Sequence, residues 1–228
     1  MMLLGTDTLL GPTPPESEYL EAYRQLRASL LSLHERVPFR SLMVTSAKAS
    51  EGKSTVVLNL GTTMAFASRP TVCIDLDLHH PQLHELVGVP MAPGFTDVLA
   101  GEATLAQCLQ ATGIDGLSFI AAGSRIGGRA DILAASSPLG VLTELGEQCD
   151  FIIIDSTPVL DFAVSLELAR VVEMCLVVAR ARRPAAPVVQ AVEMLESAGA
   201  TVAGIIVNDV LPEDRIGASA GYYEEGLP

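Results

Sequence analysis

Residues 46–55, SAKASEGKST, have the composition and order of a phosphate-binding loop. They follow a short apolar run and precede the segment VVLNLGTTMAFA, which is typical of a helix. In such a strand–loop–helix unit, successive backbone N–H groups surround an anion and the helix N-terminus adds its positive dipole end. Lys53 can reach the outer phosphates and Ser54 can ligate Mg²⁺, while Gly52 lets the backbone approach the phosphates closely.

The loop departs by one residue from the pattern G-x-x-x-x-G-K-[ST], because Ala47 stands where the first glycine is expected. A chance GKS in a surface turn is the alternative, but a strand and a helix flank the motif as the motif requires. We therefore expect the loop to contact a nucleotide along its length, at Ala49, Ser50, Glu51, Gly52, Lys53, Ser54 and Thr55.

Two later apolar runs end in carboxylates. Residues 71–75 lead into Asp75-Leu-Asp77, and residues 150–155 close on Asp155. The carboxyl ends of parallel strands are where α/β sheets bind ligands, so these acids are expected beside the loop. There they can hold Mg²⁺, directly or through water, or take a proton from an attacking hydroxyl. Ordinary strand-to-loop turns that contain Asp are the alternative.

These residues give a candidate magnesium site of Ser54, Asp75 and Asp155. Asn208 follows the last predicted strand, where its amide could bond an adenine edge or simply form a turn. His79 and His80 follow the Asp75–Asp77 acids, and we interpret them as loop histidines because no third metal ligand is apparent in the sequence.

Apolar runs alternate with helical patterns along the chain, which predicts an α/β fold with a doubly wound, mostly parallel sheet in a single P-loop NTPase domain. Strands are expected at 41–45, 71–75, 117–121, 150–155, 173–179 and 202–207. Helices are expected at 16–35, after the loop, at 95–109, at 130–148 and at 184–198. The chain is divided into a flexible leader (1–15), the domain (16–211) and a flexible tail (212–228).

The bulk composition narrows the class of protein. The chain has 228 residues, of which 49% are hydrophobic and 4% aromatic, so one large aliphatic core is expected. A formal net charge of −13 argues against nucleic acid as a partner, because phosphate neutralisation needs a basic surface. The cysteines are too widely spaced for a metal site, and we expect buried free thiols in a reducing cytosol: Cys73, Cys108, Cys149 and Cys175.

The sequence shows no signal for membrane insertion. The first residues, MMLLGTDTLLGPTPP, lack the basic and apolar regions of a secretory signal, and no run of about 18 apolar residues occurs. Any role at a membrane is therefore expected to come through a partner.

Two further features could serve contacts between subunits. Glu21, Arg24 and Arg27 step by three along the first predicted helix and form a charged stripe, either a solvated stripe with an ion pair or an interface. The tail carries Tyr222 and Tyr223 beside two glutamates, and fully extended it could reach roughly 50 Å, as far as a neighbouring subunit. Accessible tyrosine acceptors and a merely disordered end are the two interpretations of this tail.

Together the motifs resemble those of the bacterial tyrosine kinases (BY-kinases) of capsular and exopolysaccharide synthesis, in the form without a fused membrane domain. This family lies within the MinD/ParA-like P-loop superfamily, and the resemblance covers residues 16–211. The motif Glu21-x-x-Arg24-x-x-Arg27 is similar to the oligomerisation motif of helix 1, residues 47–54 to Walker A, Asp75-x-Asp77 to Walker A′, and residues 152–158 to Walker B.

The resemblance implies a cytoplasmic enzyme that uses ATP and Mg²⁺ to phosphorylate tail tyrosines, here Tyr222 and Tyr223, of a neighbouring subunit. It also implies a homo-oligomer, with a ring as one arrangement, that a membrane chain-length-regulator protein activates and recruits to the inner face of the cell membrane. The site roles that it implies are phosphate binding for Lys53, Mg²⁺ binding for Ser54 and Asp155, and the base for Asp75 or Asp77.

The chain departs from the family pattern at a few positions. His79 stands where Walker A′ usually has Arg, Ser165 stands near where an Asp often follows Walker B, and the tail has only two tyrosines. A non-kinase ATPase switch, whose nucleotide-dependent oligomerisation regulates the polysaccharide export machinery, is the second hypothesis. Lys48 has the spacing of the signature lysine that reaches a neighbour's nucleotide in the MinD/ParA superfamily, or it is a solvated loop lysine.

Overall fold

The computed structural model of the chain describes residues 2–3, 9–12, 17–124, 133 and 136–211. Its strands are β1 (Met2–Leu3), β2 (Ser41–Ser46), β3 (Thr71–Leu76), β4 (Leu109–Ala111), β5 (Leu117–Ile120), β6 (Phe151–Ser156), β7 (Met174–Arg180) and β8 (Val202–Asn208). Its helices are α1 (Glu18–Arg36), α2 (Lys53–Phe66), α3 (Leu83–Val87), α4 (Phe95–Leu99), α5 (Leu105–Cys108), α6 (Leu139–Gly146), α7 (Val164–Ala169) and α8 (Ala186–Ser197). No helix within these ranges combines the length and apolar character needed to span a bilayer.

The strands form one sheet in the order β1-β8-β7-β2-β6-β3-β5-β4. Each neighbouring pair is parallel except β4 and β5, which run antiparallel at one edge. The predicted doubly wound, mostly parallel α/β fold is therefore confirmed. All parallel strands end at the same edge of the sheet, where the phosphate-binding loop also starts.

Helices cover both faces of the sheet, which explains why the strands are continuous apolar runs. Alternate residues of β6 divide between two core clusters, with Ile153 on one face and Ile154 on the other. Helices α1 and α2 pack on the first face, where Tyr23 and Leu60 are buried, and α6, α7 and α8 cover the second, where Leu168 is buried.

Helix α2 lies directly against the sheet. A Cβ atom added at Gly61 would come within 2.5 Å of Cys73 Sγ in β3 and 3.0 Å of Leu117 Cδ1 in β5. The glycine therefore permits a close approach of helix and sheet, and this approach fixes the start of α2 relative to the strand ends. Cys73 and the other three cysteines are free and buried, as predicted.

The predicted leader contributes to the domain where the structure describes it, which the sequence did not indicate. Met2 and Leu3 pair in parallel with Ile206 and Val207 of β8. Leu10 is buried, and its amide donates a hydrogen bond to Asn59 Oδ1 of α2 at 2.8 Å. These contacts join the described part of the leader to β8 and α2.

Two predicted helices differ from the structure. Helix α1 begins at Glu18, capped by Ser17 Oγ, which accepts a hydrogen bond from the Leu20 amide. The single helix expected over 95–109 is wrong: the chain instead forms α4, α5 and the short strand β4. Gly101, at φ 71°, lies between the two helices in a left-handed conformation that interrupts a regular helix.

Candidate nucleotide and magnesium site

The phosphate-binding loop joins β2 to α2 and ends at Gly52, the N-cap of α2. Gly52 has φ 94° and Ser50 has φ 61°, so both lie in the left-handed region, which glycine adopts freely and serine rarely. The first N–H groups of a helix have no acceptor within it, so the start of α2 offers donors to an anion. Lys53 begins this helix and is 7% exposed.

Ser54 and Asp155 are brought together by the pairing of β2 with β6, in which Val44 lies opposite Asp155. Ser54 Oγ donates a hydrogen bond to Asp155 Oδ2 at 2.5 Å. The other oxygen, Asp155 Oδ1, is buried and receives no hydrogen bond from any residue that the structure describes. Burial raises the pKa of Asp155 to about 7, although Lys53 and the Ser54 hydrogen bond oppose the rise.

Asp75 lies opposite Asp155 in the pairing of β3 with β6 and is fully buried. Its Oδ1 accepts the amide of Asp77 at 3.2 Å and its Oδ2 accepts the amide of Leu83 at 3.0 Å. Burial, together with the charge of Asp155, raises the pKa of Asp75 well above its usual range. Asp75 therefore anchors the loop that follows β3.

Asp77 is the more accessible of the two acids after β3. Its exposed fraction is 9%, against 0% for Asp75. Asp77 Oδ1 accepts the amide of His80 at 3.1 Å, which holds the carboxylate toward the loop. Both acids lie at the sheet edge where the sequence predicted them.

The oxygen atoms at this point fit Mg²⁺. Ser54 Oγ and the buried Asp155 Oδ1 are hard ligands of the kind that Mg²⁺ prefers, and a cation there would reduce the repulsion between Asp155 and Asp75. In the described parts of the chain, no three His, Cys, Asp or Glu side chains meet as a metal cage. Mg²⁺ usually takes one or two carboxylates and completes its shell with water and substrate phosphates. The arrangement therefore fits a site in which a nucleotide and Mg²⁺ bind together.

The side chain of Glu51 braces the loop from the side of β7. Glu51 Oε2 accepts the amide of Arg180 at 2.6 Å, and Oε1 forms an ion pair with Arg183 Nη1 at 2.9 Å. The buried Asn208, at the end of β8, donates from Nδ2 to the Glu51 carbonyl at 3.3 Å. The sequence predicted that Glu51 and Asn208 contact a nucleotide. The structure shows that they also hold the phosphate-binding loop in place, and no sequence pattern indicated these contacts.

Two contacts on the other side of the loop were also not predicted. Lys48 Nζ donates to Asp161 Oδ1 at 2.6 Å, so this half-exposed lysine is paired within its own chain. The ring of His79 stacks on that of Phe162, with centroids 4.0 Å apart and an angle of 24° between the planes. Asp161 and Phe162 follow β6, so their loop contacts both the phosphate-binding loop and the loop after β3.

The predicted oligomerisation residues lie on α1. Glu21 and Arg24 form an ion pair at 3.6 Å, whereas Arg27 Nη1 donates to the Thr63 carbonyl of α2 at 2.7 Å. Arg27 therefore already contributes to packing within the chain, and its role between subunits stays a prediction. The predicted acceptors, Tyr222 and Tyr223, lie outside the described residues.

Comparison with curated proteins identifies tyrosine kinases. No protein-family model matches the chain. The putative tyrosine-protein kinase CapB of Staphylococcus aureus is 28% identical over 212 residues, which are 92% of this chain and 92% of CapB. The tyrosine-protein kinase YwqD of Bacillus subtilis is 27% identical over 88% of this chain and 85% of its own length. The tyrosine-protein kinase Ptk of Acinetobacter johnsonii is 29% identical, but the chain spans only 27% of its length.

Solved structures agree with the sequence relatives. The kinase domain of the Escherichia coli tyrosine kinase ETK has a TM-score of 0.85 at 25% identity, covering 97% of this chain and 94% of that domain. The VpsO kinase domain has a TM-score of 0.73 at 28% identity, and the match covers 86% of this chain and 100% of that domain. The cell-division ATPase MinD of Pyrococcus furiosus has a TM-score of 0.64 at 25% identity, and the match covers 77% of each chain. The chain is therefore a homologue of the bacterial tyrosine kinases and has the P-loop fold of their kinase domains.

Proposed function

We propose that the chain is an ATP-dependent protein-tyrosine kinase of the bacterial type that acts in capsular or exopolysaccharide synthesis. The contact between Ser54 Oγ and Asp155 Oδ2, at 2.5 Å, carries this proposal. It joins the phosphate-binding loop, in which Lys53 begins α2, to a buried acid, and these are the parts that hold the phosphates and Mg²⁺ in P-loop phosphoryl transfer. The kinase homologues support tyrosine as the acceptor.

The residues of the site divide the work of phosphoryl transfer. Lys53 and the first amides of α2 bind and align the phosphates, which is most of the catalysis in this reaction class. Ser54 and Asp155 would hold Mg²⁺, which neutralises developing charge when it is bound. Asp75 is held by two amides and its surroundings favour its protonated form, so it positions the loop. We assign acceptance of the tyrosine hydroxyl proton to Asp77.

The acceptors in this proposal are Tyr222 and Tyr223 in the tail of a neighbouring subunit. This requires a homo-oligomer, for which the α1 stripe of Glu21, Arg24 and Arg27 is the proposed contact, and a ring is one closed form. A membrane chain-length-regulator protein would activate the kinase and recruit it to the cytoplasmic face of the membrane. The match to CapB over 92% of its length supports the tyrosine-kinase part of this arrangement.

Labelled MgATP tests the kinase directly. The protein alone, and with the cytosolic segment of the regulator protein, should incorporate label on tyrosine, and the Tyr222→Phe, Tyr223→Phe double variant should lose most of it. Lys53→Met and Asp155→Asn should each reduce incorporation by about 10²–10³-fold, since each removes charge stabilisation from the transferring phosphoryl group. A protein that binds ATP but never labels tyrosine, with or without the regulator segment, would refute the proposal.

A non-kinase ATPase switch is the second candidate, favoured by the likeness to the cell-division ATPase MinD. Its oligomerisation with nucleotide would regulate the export machinery without tyrosine phosphorylation. ATP hydrolysis and polymer production that are both unchanged in the Tyr222→Phe, Tyr223→Phe variant would favour this switch over the kinase.

A further inference from the structure

The strand order predicts the orientation of a bound nucleotide relative to the sheet. The phosphate-binding loop follows β2, which lies between β7 and β6. The Ser54–Asp155 contact lies on the β6 side, whereas Asn208, the predicted contact of the base, lies on β8 at the other side. The terminal phosphate is therefore expected toward β6 and β3. An acceptor hydroxyl must approach in line with that phosphate, so it must also arrive beside the ends of β6 and β3.

An accessible pair of aromatic rings lies at that point. His79 is exposed and comes two residues after Asp77, and its ring stacks on the half-buried Phe162. The other ring pairs of the described chain lie on α1 or involve Phe39 and Phe151 in the core. Phe, Tyr and Trp make up only 4% of the sequence and His occurs four times, so a stacked His–Phe pair beside the acids is a specific feature.

The loop that carries Phe162 is hydrogen-bonded to the phosphate-binding segment. The Val159 amide donates to the Ser46 carbonyl at 2.9 Å, and Asp161 pairs with Lys48 at 2.6 Å. Ser46 and Lys48 both belong to the phosphate-binding segment, residues 46–55. Within the loop after β3, the His80 amide donates to Asp77 Oδ1 at 3.1 Å, and the stacking of His79 on Phe162 joins this loop to the loop after β6. The ring pair and the proposed base therefore keep a defined relative position before any acceptor binds.

We propose that His79 and Phe162 form an acceptor wall, which binds the aromatic ring of the incoming tyrosine and directs its hydroxyl to Asp77. Aromatic rings prefer offset stacking or edge-to-face contact, so a ring pair with one exposed member is a surface on which a phenol can pack. Serine and threonine have no ring to place there. The inference rests on the proposed function, because it names the residues that select the acceptor at the same site.

Binding of a peptide tests the wall without requiring catalysis. The probe is a fluorescein-labelled peptide of residues 218–227, ASAGYYEEGL, and its partner has leucine at both tyrosine positions. Anisotropy is measured with the full chain, Mg²⁺ and a non-hydrolysable ATP analogue, in a background of Tyr222→Ser and Tyr223→Ser so that the protein's own tail does not compete. The tyrosyl peptide should bind at least about threefold more tightly than the leucyl peptide.

Phe162→Leu and His79→Ala should each remove most of this preference, so that the two peptides bind with nearly equal affinity. His79 is exposed, so His79→Ala keeps the test valid should Phe162→Leu fold poorly. The matched control is Phe66→Leu, the same change at an exposed phenylalanine at the far end of α2, which should leave the preference unchanged.

The outcomes separate the wall from the kinase. Equal affinity of the starting protein for the two peptides would overturn the wall, whether or not the protein is a kinase. An unchanged preference in both variants, with ATP affinity reduced, would also overturn it, because the pair would then only support the nucleotide site. An aromatic preference that the variants remove, in a protein that forms no phosphotyrosine, would keep the wall as a phenol-binding site and reject the kinase.

Discussion

The surroundings of the Asp155 carboxylate suit a metal ligand, but they make its ionised form unfavourable when no cation is bound. One oxygen accepts the Ser54 hydroxyl and the other lies buried, with Asp75 on the adjacent strand. A buried acid without a cation costs free energy whenever it ionises, because its hydration is lost. The site therefore gives up stability in the free protein in order to bind a charged ligand.

Asp155→Asn should stabilise the protein in the absence of nucleotide and metal. The pKa of Asp155 rises from 3.8 to about 7 on folding. The folded protein thus binds this proton more tightly than the unfolded chain, so stability falls as the pH rises from about 4 to about 7 and stays low above it. Urea unfolding at pH 8 should show a gain of about 2–4 kcal/mol for the neutral variant.

The same comparison near pH 4 is the control, since wild type and Asp155→Asn should then differ little. A wild-type protein that is as stable as the variant at pH 8 would show that Asp155 ionises there at no cost. With MgATP present, the wild type should be the more stable of the two proteins, because only the wild type retains the carboxylate for the metal.

The phosphate-binding loop is supported on two sides by neighbouring segments. Glu51 ties it to the ends of β7 and β8, and Lys48 ties it to the loop after β6. Glu51 is 6% exposed, whereas the Lys48–Asp161 pair is exposed to solvent. Exposed ion pairs contribute little to stability. We therefore expect the contacts of Glu51 to stabilise the loop more than the Lys48–Asp161 pair does.

Glu51→Ala should therefore lower both stability and nucleotide affinity. The change leaves the Arg180 amide without its acceptor, and we expect a loss of about 1–3 kcal/mol in the free energy of unfolding. Arg183→Ala leaves Glu51 bound to the Arg180 amide and should therefore cost less than Glu51→Ala. Thermal unfolding and titration with fluorescent ATP measure the two effects, and equal losses in both variants would contradict this ranking.

Gly61→Ala tests the close approach of α2 to the sheet. In a helix interior, alanine normally stabilises relative to glycine by about 0.5–1 kcal/mol. Here the new Cβ would come within 2.5 Å of Cys73 Sγ, so we expect a net loss of about 1–3 kcal/mol. The second substitution Cys73→Ala removes the clashing sulfur and should recover part of that loss. A Gly61→Ala protein that is more stable than wild type would show that α2 can move away freely.

For the molecule as a whole, the first residues complete the domain. Leu10 is buried and bonds to Asn59 of α2. Leu10→Ala should lower the free energy of unfolding by about 1–3 kcal/mol, because it uncovers apolar surface and loosens that contact. The matched control is Leu9→Ala, at an exposed position that should change stability by less than about 0.5 kcal/mol. Equal effects of the two substitutions in urea unfolding would refute the anchoring role.

Most of the sheet and the centre of the site could be predicted from sequence, because both follow from local patterns. Long apolar runs identified β2, β3, β6, β7 and β8, and the rule that parallel strands end at one edge placed Asp75 and Asp155 beside the loop. The short strands were missed, since β1 and β4 have two and three residues and depend on pairing with a neighbour.

Side-chain contacts between distant segments could not be predicted for a different reason. Nothing local to His79 or Phe162 indicates that their rings stack, and nothing near Glu51 indicates that it binds Arg183. Ser165 was noted only as a departure from a family pattern, but it is buried and its hydroxyl bonds with Thr157 in the loop after β6. Such contacts depend on how loops fold over the strand ends.

The two short strands at the borders of the sheet, β1 and β4, also bear on how copies of this chain can associate. Long open borders invite another chain to add a strand, and very short ones offer few free backbone groups for it. Association by extending the sheet is therefore disfavoured at the β4 border, whereas β1 pairs only with Ile206 and Val207 and leaves the first residues of β8 without a paired strand on that side among the described residues. Subunits of an oligomer that meet through helices and loops would leave the amide-I infrared band of the β-structure unchanged, whereas strand addition along β8 would increase it.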